Sequence, residues 1–451
     1  MGKQIVLENL KLFKGINEEV IDDGVLWIED NIIRFAGRMD ELKGVKDNVS
    51  RINGFGQFAM PGMTESHSHL SYTQNPALQL DNSPVEEAML YSIDNARLML
   101  GAGFTSAISF GSVHRIDVAL RDAIERDHIP GPRIVASGRD VGATASNADL
   151  YPDHIKPQME GLGMLVDGPW AVRKAVRQLK KNGANIIKLI LDGELLSTYA
   201  PPGQLTYTDE EVAAACEEAH SRNMRVATHS RSAASVKQAV KFGVDIIGHA
   251  NYIDDEALDL LKRNRHRLAV GPAIAWEIAF IENCASTGFT RAEVRNLGYD
   301  EEVEATVRAV KKMRAAGIKV LVGGDYGLDI TPHGTYAKDL EYFVDVFGLS
   351  PQEALLCATR DGGAVADPNG MIGTLEEGKL ADFILVNGDP VADIKVLQDQ
   401  SAITNVIKDG KFYTGLSDHN PYLSAEESEK NRKIKEEQLS KIEKEKIESA
   451  G

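Results

Sequence analysis

Two histidines one residue apart, His67 and His69 in PGMTESHSHL, follow directly on the apolar stretch GFGQFAM. On an extended strand, positions i and i+2 point to the same side, so both imidazoles can aim at one point, as a metal-chelating pair must. Three further apolar runs carry a comparable group near their ends: His229 in VATHS, His249 in IIGHA and Asp325 in LVGGD. A fourth, NIIKLIL, sets Lys188 among isoleucines and leucines. A lysine there must desolvate its ammonium, a large cost unless the charge is paired or removed. Carbamylation by carbon dioxide removes it, turning the amine into an anionic, carboxylate-like group able to bridge two cations. Asp325, behind an apolar run and two glycines, likewise calls for a neighbouring cation. Taken singly, each of these residues could be a satisfied core side chain; six of them in this pattern favour a metal centre.

The elements that must position them can be read from periodicity. The middle of the chain alternates short apolar runs with amphipathic helical segments, the texture of repeated β-α units around a parallel sheet. The runs are FAMPGMTESH, GFTSAISF, RIVASG, NIIKLIL, MRVATHS, VDIIGHA, HRLAVGP and IKVLVGGD. Between them lie segments such as AVRKAVRQLKKNG and AASVKQAVKFG, closed by Gly as helix ends commonly are. Eight strands each followed by a helix predict a (β/α)8 TIM barrel, whose active site lies at the C-terminal ends of its strands. No GxGxxG follows the first strand, which disfavours an open dinucleotide-binding sheet. All six candidate ligands fall at the expected mouth.

Both chain ends read as antiparallel β-structure: QIVLENLKLF, DGVLWIED and NIIRFAGRM at one, GKLADFILVNGDP, ITNVIKDG and KFYTG at the other. The prediction is an α/β protein in which residues 1–60 and 367–417 form a discontinuous β-sandwich around a barrel spanning 61–366. Residues 418–451 are dense in charges of both signs and predict a solvated helix or a frayed tail, able to contribute to a homo-oligomer. The 451 residues carry a net charge of −17, which disfavours nucleic acid or an anionic membrane as partner and suits a small-molecule substrate. No run approaches membrane-spanning length and the first residues lack a secretory pattern. Three scattered cysteines, Cys216, Cys284 and Cys357, argue against a disulfide framework, so a cytoplasmic setting is expected.

In their order and on those strands, His67-x-His69, Lys188, His229, His249 and Asp325 resemble the metal centre of the amidohydrolase superfamily, in its subtype with two metals bridged by a carboxylated lysine. GMIGTLEEGKLADFILVNGDP is similar to the segment by which such enzymes return from barrel to β-sandwich, and the resemblance covers nearly the whole chain outside the charged tail. NIIKLILDGELLS and GGDYGLDITPHGTYAKDLEYFV look closest to the branch of imidazolonepropionases and prolidases, with Xaa-Arg/Lys peptidases, ochratoxin amidases and phenylurea and thiocarbamate hydrolases. One departure is Glu65, where Asp is common. The resemblance implies that His67, His69 and Asp325 bind one divalent ion and His229 and His249 a second, bridged by carbamylated Lys188. Zinc suits these donors, as do cobalt and manganese.

The implied reaction is metal-dependent hydrolysis of an amide-type C–N bond, with Asp325 as general base and then acid. Tyr252 is the candidate hydrogen-bond donor to the carbonyl oxygen and His333 a candidate leaving-group donor or substrate contact. Tyr72, Trp276 and Tyr326 would line the pocket, and Arg231 could receive a carboxylate. The aromatic groups tip the expectation towards an aryl amide, urea or carbamate, with an Xaa-Arg/Lys-type dipeptide or N-acyl amino acid, read by Arg231, as the alternative. His114 is a marginal pocket candidate, and His128, His220, His266 and His419 read as structural or solvated. A deaminase on this fold would generally lack the strand-four lysine, and a non-catalytic scaffold would have lost metal ligands.

Overall fold

The structure, a computed structural model, describes residues 2–46, 49–155, 161–416, 421 and 433. The strands in chain order are β1 Gln4–Phe13, β2 Val20–Glu29, β3 Ile32–Arg38, β4 Ser50–Asn53, β5 Phe58–Pro61, β6 Met63–Ser68, β7 Phe104–Ser109, β8 Arg133–Val135, β9 Asp140–Gly142, β10 Gly163–Leu165, β11 Ile186–Ile190, β12 Arg225–Ser232, β13 Ile246–Tyr252, β14 Ala269–Gly271, β15 Lys319–Val320, β16 Phe383–Val386, β17 Ile403–Lys408 and β18 Lys411–Tyr413.

Strands from both ends of the chain share one sheet, ordered β18-β17-β16-β5-β1-β2-β3, with β4 also paired to β1. It has its own apolar cluster, including Leu7, Leu12, Leu26, Phe383 and Ile407. The run FAMPGMTESH, expected as one strand, divides: Phe58–Pro61 joins this end sheet and Met63–Ser68 starts the parallel part. Gly62 sits at the division, where a Cβ would collide with the Thr105 side chain.

Barrel strands β6, β7, β8, β11, β12, β13, β14 and β15 are each represented, but the ladder is not one closed sheet. β6-β7-β8 form one parallel group and β10-β9-β11-β12-β13-β14-β15 the other. Backbone hydrogen bonds cross both seams, from Asn185 N to Ala136 O at 2.7 Å and from Ser66 N to Val322 O at 3.0 Å. The short strands β9 and β10 are an insertion that the eight-unit pattern does not show. Helices Pro169–Lys181, Asp209–His220, Ala233–Phe242, Asp255–Asn264 and Tyr299–Ala315 bury apolar faces in the main core. Among the described residues no helix is long and apolar enough to cross a membrane. His419 and most of the charged tail lie outside the described residues.

Candidate metal centre

Every barrel strand named for chemistry delivers its residue to one place. β6 is buried throughout and presents His67 and His69, while Asp325 follows β15 in the GGDY turn. Ligand atoms of these three lie within 4.8 Å of one another. Asp325 Oδ1 is 2.9 Å from His69 Nε2 and 3.5 Å from His67 Nε2. The His249 ring lies 5.2 Å from that of His67 and 4.4 Å from that of His229. Lys188 Nζ stands 4.3 Å over the Phe110 ring, on which His67 also packs at 4.2 Å.

Backbone geometry aims these groups. Asp325, His249 and Ala250 adopt left-handed φ values of 62°, 77° and 58°. Such residues cost about 1–3 kcal/mol each and persist where the surroundings over-determine them. A Cβ at Gly323 would approach His67 N to 2.6 Å, so the turn before Asp325 passes β6 at a distance only glycine allows. Glu65 secures the same crossing: its Oε1 accepts from His67 N at 3.1 Å and from Gly324 N at 3.2 Å. The longer acid at this position thus braces the histidine pair from its own strand. His69 Nδ1–H can donate to Gly111 O, 3.1 Å away, which leaves Nε2 as the nitrogen turned to Asp325.

Electrostatics suit a cation-binding site. Burial pushes His67, His229 and His249 well below the ordinary histidine range, so their imidazoles are neutral, the form that ligates. Burial raises the Asp325 carboxyl, but His67, His69 and Lys188 together outweigh it and hold the group ionised. Burial lowers Lys188 to about 8, opposed by Asp140 and Asp325, so neutral amine, the form that adds carbon dioxide, is accessible near neutrality. Both ring nitrogens of His249 and Nδ1 of His67 are buried with no hydrogen-bond partner among the described residues. Buried polar atoms are normally satisfied, and bare imidazole nitrogens beside an ionised carboxylate fit divalent cations.

Residues 58–413 match the amidohydrolase family. The chain belongs to that family. An ochratoxinase of Aspergillus niger is 28% identical over 424 residues, 88% of this chain and 84% of the relative. A solved Xaa-Pro dipeptidase with methionine bound in its active site is 28% identical, with a TM-score of 0.79 over 91% of this chain and 100% of the other. Phenylurea hydrolase B, at 21% identity and a TM-score of 0.71 over 91% of this chain and 96% of the other, shares the fold. The architecture is therefore the α/β TIM barrel of the family, and the protein is a hydrolase acting on C–N bonds.

The structure places the remaining expected site residues differently from one another. Tyr72 is half-buried and stacks on His69, with ring centroids 4.3 Å apart. Tyr252, half-buried, ends β13 three residues beyond His249. Arg231 does not stand open to a carboxylate: 1% of its side chain is exposed, and it is held by Glu302 at 2.7 Å and by Glu277 and Glu194 at 3.3 Å. Trp276 does not line the pocket: it lies in the helix Ile274–Glu282, buried parallel to Phe280 and against Tyr299. Tyr326 turns inward onto Tyr336. His333 is a strut, with Nδ1 2.7 Å from the Tyr336 hydroxyl and Nε2 2.9 Å from Tyr72 O; burial lowers it to about 4.

Two acids were not foreseen. Asp140, at the start of β9, is pushed up to about 6 by burial, opposed by its neighbours Lys188 and His69. Its only sequence signal is its place just after the third barrel run. Glu194 lies in DGELLS, past the end of the strand that carries Lys188, and that position was the available signal.

Proposed function

We propose that this hydrolase cleaves the amide bond of a dipeptide or N-acyl amino acid at a two-cation centre held by His67, His69, Lys188, His229, His249 and Asp325. The convergence of four buried histidines, Lys188 and an ionised Asp325 on one barrel mouth carries the chemistry. Bound divalent cations would supply Lewis acidity and an acidified water, its pKa lowered towards about 7. Lys188, as a carbamate, would add an anionic oxygen donor to that ligand set. Asp325 Oδ1 accepts the proton of the attacking water and returns it to the leaving nitrogen. Burial pushes the Tyr252 phenol upward, so it stays protonated and can donate to the carbonyl oxygen as negative charge develops.

Substrate class follows from what is free to touch it. The case for a neutral aryl urea or carbamate loses Trp276 and Tyr326, both inside the protein, and keeps the Tyr72 face on His69. The case for an amino-acid amide loses Arg231 but is supported by similarity to an ochratoxinase and a Xaa-Pro dipeptidase, each at 28% identity. We further propose that the sheet built from both chain ends is a small β-domain separate from the barrel.

The test is turnover by zinc- or cobalt-loaded enzyme of an aryl urea, an aryl carbamate, an N-acyl aromatic amino acid and an Xaa-Arg dipeptide. Hydrolysis confined to the last two is expected. Hydrolysis confined to the first two would replace this substrate class with the neutral one, read by Tyr72.

A further inference from the structure

We infer that Glu194 selects substrates carrying a positive charge close to the scissile carbonyl, the α-ammonium of an unblocked dipeptide being the chemical class that fits. The inference rests on the dipeptide half of the proposed function and narrows it.

Glu194 emerges from the loop after β11, next to Gly193, whose carbonyl oxygen lies 3.4 Å from His229 Nε2. It therefore borders the centre rather than the protein's outer surface. Arg231 fixes it from behind at 3.3 Å, and 21% of its side chain remains exposed, whereas Arg231, Glu277 and Glu302 are closed off at 0–1%. Glu194 is thus the only member of this group with access to a ligand.

Charge in the group does not balance. One guanidinium faces three carboxylates. Burial and the neighbouring charge of Glu302 push Glu277 well above the carboxylate range, and burial raises Glu194 as well against the pull of Arg231, so the group carries more carboxylate than its one guanidinium answers and a further cation at Glu194 is favoured. Glu302 Oε2 is buried without a hydrogen-bond partner among the described residues, so Arg231 leaves part of this carboxylate unanswered. A surplus charge in a low-dielectric wall is felt most strongly at the one opening it has, and there it favours a cation over a neutral group of the same shape. An α-ammonium is attached one carbon from the carbonyl that the metal centre attacks, so a substrate seated for hydrolysis brings that charge to the site's border.

The experiment compares a dipeptide with its N-acetylated form, in wild type, Glu194→Gln and the charge-keeping Glu194→Asp, with metal content measured on the same preparations. Wild type is expected to favour the free amine in kcat/KM. Glu194→Gln should lower the free-amine to acetylated ratio at least tenfold, mainly through KM, and Glu194→Asp should restore part of it. An unchanged ratio in Glu194→Gln overturns the role of Glu194 while leaving amide hydrolysis intact. Loss of metal from Glu194→Gln also overturns it, since the residue would then act on the centre itself. If wild type cleaves neither form but hydrolyses the aryl urea, the substrate class fails and this inference with it.

Discussion

Two buried polar clusters lie side by side in this barrel, and they are finished differently. Around Arg231, Glu277, Asn251 and Thr306, side chains hydrogen-bond one another, with Asn251 donating to Glu277 and to Thr306 and Thr306 donating to Glu277 at 3.1 Å. Around His67 and His249, imidazole nitrogens are bare. The first cluster spends most of its polar atoms on itself and so reads as architecture, with Glu194 its one opening. The second leaves its donors for something from outside. Neither is fully satisfied, since Arg231 Nε, Asn251 Oδ1 and Glu302 Oε2 are also bare among the described residues; what separates them is that the first pairs a guanidinium with carboxylates, whereas the second gathers neutral imidazoles around one carboxylate.

The largest expected effect lies in the bare cluster. Asp325→Asn keeps shape but removes the proton acceptor, and kcat should fall about a hundred- to ten-thousand-fold while circular dichroism and the unfolding midpoint stay near wild type. Near-normal turnover would end its assignment. In the Arg231 cluster the loss should fall on stability instead. Arg231→Met leaves buried carboxylates without their cation, and urea denaturation should show a loss of about 3–5 kcal/mol; a stable variant with altered substrate preference alone would return Arg231 to the pocket.

His333 sharpens the same contrast on a smaller scale. Because both ring nitrogens are engaged, His333→Asn should lower stability by about 1–2 kcal/mol without removing a limb from the pH–rate profile. Loss of such a limb would show a proton-transfer role. The smallest effect is expected at the barrel's rim, where His220 Nε2 meets Asp245 at 3.1 Å and the hydrogen bond to Asp245 raises the His220 pKa. A raised folded-state pKa stabilises fully below the unfolded value of about 6.5 and the contribution fades as pH rises through the folded value. The stability gap between wild type and His220→Gln should therefore be widest near pH 5.5 and close by pH 9. A gap independent of pH would mean that packing, not charge, is what His220 contributes.

Much of the architecture was legible because each barrel strand is an apolar run bounded by helical periodicity, and the ligands sit where those runs end. What failed was the assumption of regular alternation past the strand ends. Arg231 shares parity with His229 and so was expected at the mouth, yet the β12–β13 register shifts between Ser230 and Ser232, and its side chain runs to the helix carboxylates. Tyr326 follows a left-handed Asp325, which redirects its ring to Tyr336. Trp276 lies in a helix buried on most of its faces, so no amphipathic stripe marked it as helical. The inserted strands β9 and β10 are three residues each, too short to leave a periodic trace. Glu65, noted only as a departure from the family pattern, acquires its bracing role from Gly324, a neighbour far away in sequence.

The central claim is that the bare histidines, Lys188 and Asp325 exist to hold divalent cations that the reaction needs. The measurement that tests it most directly is metal content per chain, with amide hydrolysis followed through chelation and re-addition, for wild type, His249→Ala and His220→Ala. The account predicts two divalent ions in wild type and in His220→Ala, fewer in His249→Ala, and activity that disappears with chelator and returns with zinc, cobalt or manganese. Undiminished hydrolysis by a chain stripped of metal would contradict it.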